Sequence, residues 1–285
     1  MKAIKKILLP TDFSDTAQNA FRYCLRIADT YGAAIELLHV IYPEYQAMDI
    51  PVMAAKAMQD KVEAAKEVSR QFVDLGITQV QATYQFQSMP NIHAEIMIGN
   101  PVTVIKDIAK RDAADLIVMG TREKHNAIDK TFGSVTTGVI EYAPCPVWVI
   151  PSEASYENID IIAYAAELNE SDPYHIWKAI QVLEPFHPLL HCVHVGNGAS
   201  SDAKMADMEL FFTQNAPALQ VNFHNTKGDA ITDKLEEFAE TYDVDVLVMY
   251  APHHNLWQRI FLQSITKKMA LQTSVPILFY KTSEN

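Results

Sequence analysis

The chain has 285 residues, 49% hydrophobic and 20% charged, with a net charge of −12. That length and balance suit about two soluble globular domains, each able to bury a core, and argue against disorder or a membrane-spanning protein. The charge is uneven: residues 1–150 carry 15 Lys+Arg against 17 Asp+Glu, residues 151–285 carry 8 against 18, and so acidic a second half excludes nucleic-acid binding as the main function.

In chain order, Ile4 to Pro10 reads as a short apolar strand. Its run is too short for a secretory leader and meets Pro10 and Asp12 at once. Thr11-Asp12-Phe13-Ser14 supplies capping residues for a helix over Ala17 to Tyr31, with Ala20, Phe21, Cys24, Leu25, Ile27 and Ala28 at helical spacing and Gly32 as its stop. Ile35 to Ile41 is a second strand. Met53 to Leu75 is a long helix closed by Gly76, and Gln79 to Gln87 alternates like a strand. Val102 to Arg111 is helical with Pro101 in its first turn. Leu116 to Met119 is a fully apolar strand, Ser134 to Tyr142 a helix and Val147 to Ile150 a last strand. Continuous apolar strands alternating with amphipathic helices predict a parallel sheet covered on both faces, with ligands bound beyond the strands' carboxyl ends.

The second half repeats this plan. Asp112-Ala-Ala-Asp-Leu-Ile-Val-Met-Gly120 returns as Asp243-Val-Asp-Val-Leu-Val-Met-Tyr250, and Cys145-Pro-Val-Trp-Val-Ile150 as Val275-Pro-Ile-Leu-Phe-Tyr280. Nearer the start, Ile7 to Ser14 lies over Ile162 to Asn169 and His39-Val40 over His194-Val195, so the second copy lacks a mid-domain insertion. Two homologous domains are expected, 1–151 and 159–285, joined by the polar linker 152–158. The duplication serves as an internal control. A residue needed for the fold should persist in both copies, whereas one needed for a ligand can survive in one.

Gly120-Thr121-Arg122-Glu123, nine further residues and then Gly133-Ser134-Val135-Thr136 have the form of an anion cradle. Gly120 permits close backbone approach, and Gly133-Ser134 opens a helix whose free amides and positive dipole end face what precedes it. Thr121, Ser134 and Thr136 add hydroxyls; Arg122 and Lys124 add charge. Two glycines and a serine also make an ordinary turn and cap.

Together with Leu-Pro-Thr-Asp-Phe-Ser (9–14), Leu-Leu-His-Val (37–40), Met-Gly-Thr-Arg (119–122) and Ala-Pro-Cys-Pro-Val (143–147), this motif resembles the universal stress protein family, in its tandem two-domain form. The resemblance implies two doubly wound, Rossmann-like α/β domains, each a five-stranded parallel sheet of order 3-2-1-4-5. It implies ATP or another adenine nucleotide, with or without Mg2+, in the first domain only. The implicated residues are Thr11, Asp12, Val40, Gly120, Thr121, Arg122, Gly133, Ser134, Val135 and Thr136. It also implies a cytoplasmic stress-response regulator that signals through a protein partner rather than by turnover, weak ATP hydrolysis aside. Its two domains would pair through Val147–Ile150 and Ile277–Tyr280, and whole chains could associate further. The alternative is an interaction protein of the same fold that has lost nucleotide binding.

Glu123 departs from the family pattern, standing where a second glycine belongs. In the second half Tyr250, His253 and Gln263 stand at the positions of Gly120, Glu123 and Gly133; only Ser264 remains, and Glu167 replaces Asp12. Phosphate binding is therefore expected to be lost there. The remaining candidates have plainer readings. His187, His191 and His194 have helical metal-ligand spacing, but on a strand over Leu189 to Val195 two of them face opposite ways. His253-His254 read as loop residues, Lys267-Lys268 as a solvated helix face, Met48, Met53 and Met58 as part of a helix beside the cleft, and Cys24, Cys145 and Cys192 as buried thiols.

Overall fold

The computed structural model describes residues 4–43, 51–121, 134–197, 199–216, 219–250 and 275–280. These form two compact units that divide in sequence between Glu153 and Ala154.

The first unit is built from β1 (Lys6–Thr11), α1 (Asp15–Tyr31), β2 (Ala34–Ile41), α2 (Pro51–Gln81), β3 (Ile92–Ile98), α3 (Pro101–Arg111), β4 (Leu116–Gly120), α4 (Ser134–Tyr142) and β5 (Val147–Ile150). Its strands run parallel in the order β3-β2-β1-β4-β5, with Ile7 beside both Ile35 and Leu116. Ile7, Leu8 and Leu9 are all essentially inaccessible, as expected of a central strand with helices on both faces. Ser14 accepts from Ala17 N at 3.2 Å to cap α1, and Gly32, at φ 61°, ends it in a left-handed turn that strains most side chains.

The second unit repeats the order with β6 (Ile161–Ala165), α5 (Asp172–Leu183), β7 (Leu189–Val195), α6 (Ala199–Asn215), β8 (Val221–Thr226), α7 (Ile231–Thr241), β9 (Val246–Tyr250) and β10 (Ile277–Tyr280). Read from its edge the sheet runs β8-β7-β6-β9-β10, again 3-2-1-4-5 and parallel. The extra length of the first copy falls between β2 and β3, where α2 has 31 residues against 17 in α6.

Several devices recur at matched positions and so belong to the fold. Asp115 accepts from Lys5 N and Lys6 N at 2.9 and 3.1 Å, pinning the entry to β1. Asp245 does the same for Asp160 N and Ile161 N, at 2.8 Å each. Phe13 and Leu168, just past β1 and β6, both take positive φ, 62° and 61°.

The stretch between β2 and β3 differs from the sequence reading. Gly76 does not close α2; the helix runs on to Gln81, and the segment expected as a strand over 79–87 is its last turns and a loop. The third strand is instead Ile92–Ile98. A β-carbon on Gly76 would intrude on the Phe21 ring and lie 2.8 Å from Gln18 Nε2, so the glycine marks where α1 crosses α2. Gly76→Ala gains up to about 1 kcal/mol of helix propensity. Overpacking should outweigh it, for a net loss of about 1–3 kcal/mol in urea unfolding. A stabilised variant would show that the crossing does not need the glycine.

Candidate functional site

At the carboxyl end of β1 the chain turns sharply and holds the turn with its own side chains. Thr11 Oγ1 accepts from Phe13 N at 3.0 Å, and Asp12 Oδ1 accepts from Ser14 N at 3.1 Å. Thr11 is buried, whereas the Asp12 carboxylate is exposed to solvent. Beside them, at the end of β2, His39 donates from Nδ1 to the Thr11 carbonyl at 2.8 Å and stacks on Phe13, ring centroids 4.4 Å apart. The donor sense follows because a carbonyl can only accept. His194 makes the same bond to Ala166 O at 2.9 Å in the second domain. A histidine kept in both copies with the same partner is part of the scaffold.

Backbone direction makes Val40 available. Gly99 N donates to Ile41 O, so Ile41 turns its main chain toward β3. Alternation along a strand then aims the Val40 N–H and C=O to the other side, where β1 has just ended. The Val40 N–H points at the Thr11 carbonyl, because Thr11 pairs with His39, and its C=O, one step beyond the end of β1, is the acceptor at the strand-order reversal, where ligands of doubly wound sheets bind.

Around this point lies a cleft of about 250 Å³, close to the lower end of the roughly 300–1,000 Å³ typical of small-molecule sites. It brings together Thr11, Asp12, Val40, Gly120, Thr121, Val135 and Thr136. Of the other residues expected there, Ser134 is exposed at the start of α4 and is not part of the lining. Arg122 and Gly133 lie outside the described residues, as do Glu123 and Lys124. Thr121 N is already committed to Ile150 O at 3.1 Å, leaving its hydroxyl as the group open to a ligand. The lining also includes Leu38, Pro101, Ile105 and Met119, apolar residues not singled out from sequence, along with Ser14 and His39. Asp12 is the one acidic group of the described lining, and no lysine or arginine is among those residues. The described walls therefore fit a neutral, largely apolar ring system with a polyol at the Asp12 end.

Gly120 has a packing role that the sequence reading does not include. A β-carbon there would lie 2.9 Å from the Thr16 carbonyl oxygen and 3.0 Å from its Cγ2. This close approach is to α1, and Gly120 also lines the cleft.

Among the described residues, the corresponding strand ends of the second domain carry side chains that engage one another. Tyr250, in the position of Gly120, stacks on His175 of α5 with centroids 3.5 Å apart and planes 15° from parallel. Ala166 removes the Thr11 hydroxyl, and Glu167 is engaged by the Asn169 side-chain amide at 2.7 Å. Asp172 is buried at the first turn of α5, where its carboxylate accepts from Asn169 N at 3.1 Å; burial pushes its pKa up. A buried carboxylate and a stacked phenol leave poor terms for a phosphate.

His191 and His194 do face opposite ways: His191 is buried against His224, whereas His194 holds Ala166. His187 sits apart in a left-handed turn at φ 51°. His253, His254 and Ser264 are outside the described residues. Among the described residues, the three-membered group with metal-ligand spacing is Glu36, Glu95 and Asp112. Arg111 already bridges Glu95 and Asp112 at 2.6 and 2.7 Å, and His93 binds Glu36 at 2.7 Å. The three cysteines are free and buried. Burial pushes the Cys145 thiol up to about 12 and the other two higher still, away from the reactive thiolate. Among the described residues, no helix is long and apolar enough to cross a membrane.

Comparison with known proteins gives a consistent result. Residues 3–151 match the model of the universal stress protein family. Over 146 residues the chain is 30% identical to a universal stress protein of Methanocaldococcus jannaschii, spanning 51% of this chain and 81% of that one. A universal stress protein of Thermus aquaticus is likewise 30% identical over 146 residues, covering 51% of this chain and 98% of its own. The crystal structure of a universal stress protein from Archaeoglobus fulgidus superposes on 98% of this chain and 97% of its own, with a TM-score of 0.71. At 19% identity that likeness speaks for the fold alone, and it extends through both domains.

Proposed function

The chain belongs to the universal stress protein family, and we propose that its first domain binds ATP or another adenine nucleotide and signals its occupancy to a protein partner. The observation that carries this reading is convergence. Residues from β1, β2, β4 and α4, expected as ligand contacts from sequence, line one hollow at the strand-order reversal. The apolar walls Leu38, Ile105 and Met119 suit a base, to which the Val40 carbonyl would offer an acceptor. Asp12 would accept from ribose hydroxyls. Thr121, Thr136 and the opening of α4 would face the phosphates, whose charge a bound Mg2+ would offset. In this reading Asp12 is given to the ribose and His39 is held to the Thr11 carbonyl, so the role is one of binding and release rather than turnover.

Calorimetric titration of the ligand-free full chain with ATP, with and without Mg2+, tests it. One site per chain is expected. At 100-fold excess over Kd, the nucleotide should stabilise the first domain by about 2.7 kcal/mol. Absence of both heat and stabilisation at millimolar nucleotide would remove this reading and leave an interaction protein without a nucleotide.

A further inference from the structure

The outer corner of the sheet, where the second and third strands meet the helix that follows, is closed by different chemistry in the two domains. In the first, Glu36 on β2, Glu95 on β3 and Asp112 beyond α3 are held by Arg111 and His93. Strand register places His191 on β7 where the first copy has Glu36 and His224 on β8 where it has Glu95, and Tyr242 ends α7 as Asp112 ends α3. Here the two imidazoles face each other directly, Nδ1 of His191 lying 2.8 Å from Nε2 of His224. Phe238 and Tyr242, stacked on one another at 4.3 Å, roof the pair. Tyr242 lies 5.0 Å from each imidazole and Phe238 5.7 and 4.9 Å from His191 and His224. His191 is 4% exposed.

A hydrogen bond between two imidazoles requires one facing nitrogen to carry a proton and the other to lack it. The pair therefore tolerates no added proton or one. A second turns both facing nitrogens into donors and places two positive charges in contact inside an aromatic box. We propose that His191 and His224 form an acid-sensitive latch: double protonation breaks their bond and frees β8 and α7 from β7, loosening the second domain and leaving the first unaffected.

Among the described residues neither ring has a carboxylate partner to absorb that charge. β7 and β8 contribute the two histidines themselves. From α7 and the residue that ends it the facing groups are Phe238 and Tyr242, neither of them a carboxylate. The sign follows from the environment. Burial holds both imidazoles below the ordinary histidine value, and the His224 charge lowers His191 further. The unfolded chain takes up protons as pH falls through about 6.5, before the folded domain does. Stability is thus complete above that point and declines below it, until the lowered folded values are passed. His175, also lowered by burial, acts in the same sense. Asp172 and Asp245, raised by burial, act in the opposite sense toward lower pH.

Hydrogen exchange of the full chain at pH 7.5 and 5.5, corrected for intrinsic rate, tests the latch. Each proton taken up on opening changes the opening equilibrium by up to about tenfold per pH unit, so protection of β8 and α7 should fall by at least about tenfold. Protection of β3 and α3 should hold. The double variant His191→Leu/His224→Phe, which closes the corner with apolar groups, should lose most of this acid response. Nitrogen-15 titration of the wild-type imidazoles gives an answer independent of that variant's folding: two separated values below the ordinary one are expected. Independent titration of both rings at the ordinary value, or unchanged protection of β8 at pH 5.5, would overturn the proposal.

Discussion

Val135→Trp is expected to weaken adenine-nucleotide binding by at least about 100-fold, at about 1.4 kcal/mol per tenfold, while both domains stay folded. Val135 lies in the first turn of α4, half-exposed, with its side chain in the cleft wall. An indole there would project into a hollow of only about 250 Å³. The helix should tolerate it, because the buried contacts of α4 are made by Thr136, Val139 and Ile140. Comparing calorimetric titrations and unfolding curves separates loss of the site from loss of the fold. Retained affinity in a folded variant would place the ligand elsewhere.

Asp29→Ala should cost about 2 kcal/mol or more, because hydrogen bonds to a charged group contribute about 1.5–3 kcal/mol each and three donors lose their acceptor, although water can reach some of them. Asp29 is 5% exposed near the end of α1. Its carboxylate accepts from Tyr84 OH at 2.7 Å, Gln87 N at 2.9 Å and Ser88 N at 2.8 Å. The Arg26 guanidinium lies 4.6 Å above the Tyr84 ring, adding a second tie. Together these fasten the loop that leads from α2 into β3. Urea unfolding of the variant should show the loss, and hydrogen exchange should show the Gln87 and Ser88 amides opening first. A cost under about 1 kcal/mol would mean that the loop is held by other contacts.

Much of this was legible in the chain itself, for identifiable reasons. β1, β2, β4 and β5 are continuous apolar runs, and doubly buried strands need such runs. Reading Gly76 as punctuation ends the long helix too early. The buried residues Ala65, Ser69, Phe72 and Val80, with Gly76 among them, keep a helical spacing that carries straight through the glycine. β3 is an edge strand with mixed exposure, so its pattern was weak beside the chance alternation before it.

At the site, Thr11, Asp12, Val40, Gly120 and Thr121 follow from a general rule about strand ends, which sequence can locate. The role of Gly120 does not, because its neighbour Thr16 is a contact between β4 and α1 that only packing reveals. Leu38, Pro101 and Ile105 were equally hidden, since nothing in their spacing distinguishes a cleft wall from a core. The His191–His224 pair joins residues 33 apart through strand register, which periodicity alone does not fix.

The duplicated architecture separates what the two domains share from what they do not. The pins at Asp115 and Asp245, the turns at Phe13 and Leu168, and the bonds of His39 and His194 are common to both. At the strand ends the copies differ, Gly120 and Thr11 giving way to Tyr250 and Ala166. A sheet stabilised by its core can change those tips at little cost to the fold.

Hydrogen exchange of the full chain with and without saturating ATP addresses the central claim most directly. The account predicts slowed exchange at Asp12, Val40 and the first turn of α4, with the matching tips of β6, β7 and β9 unchanged. Protection confined to the second domain, or none in either at millimolar nucleotide, would contradict it.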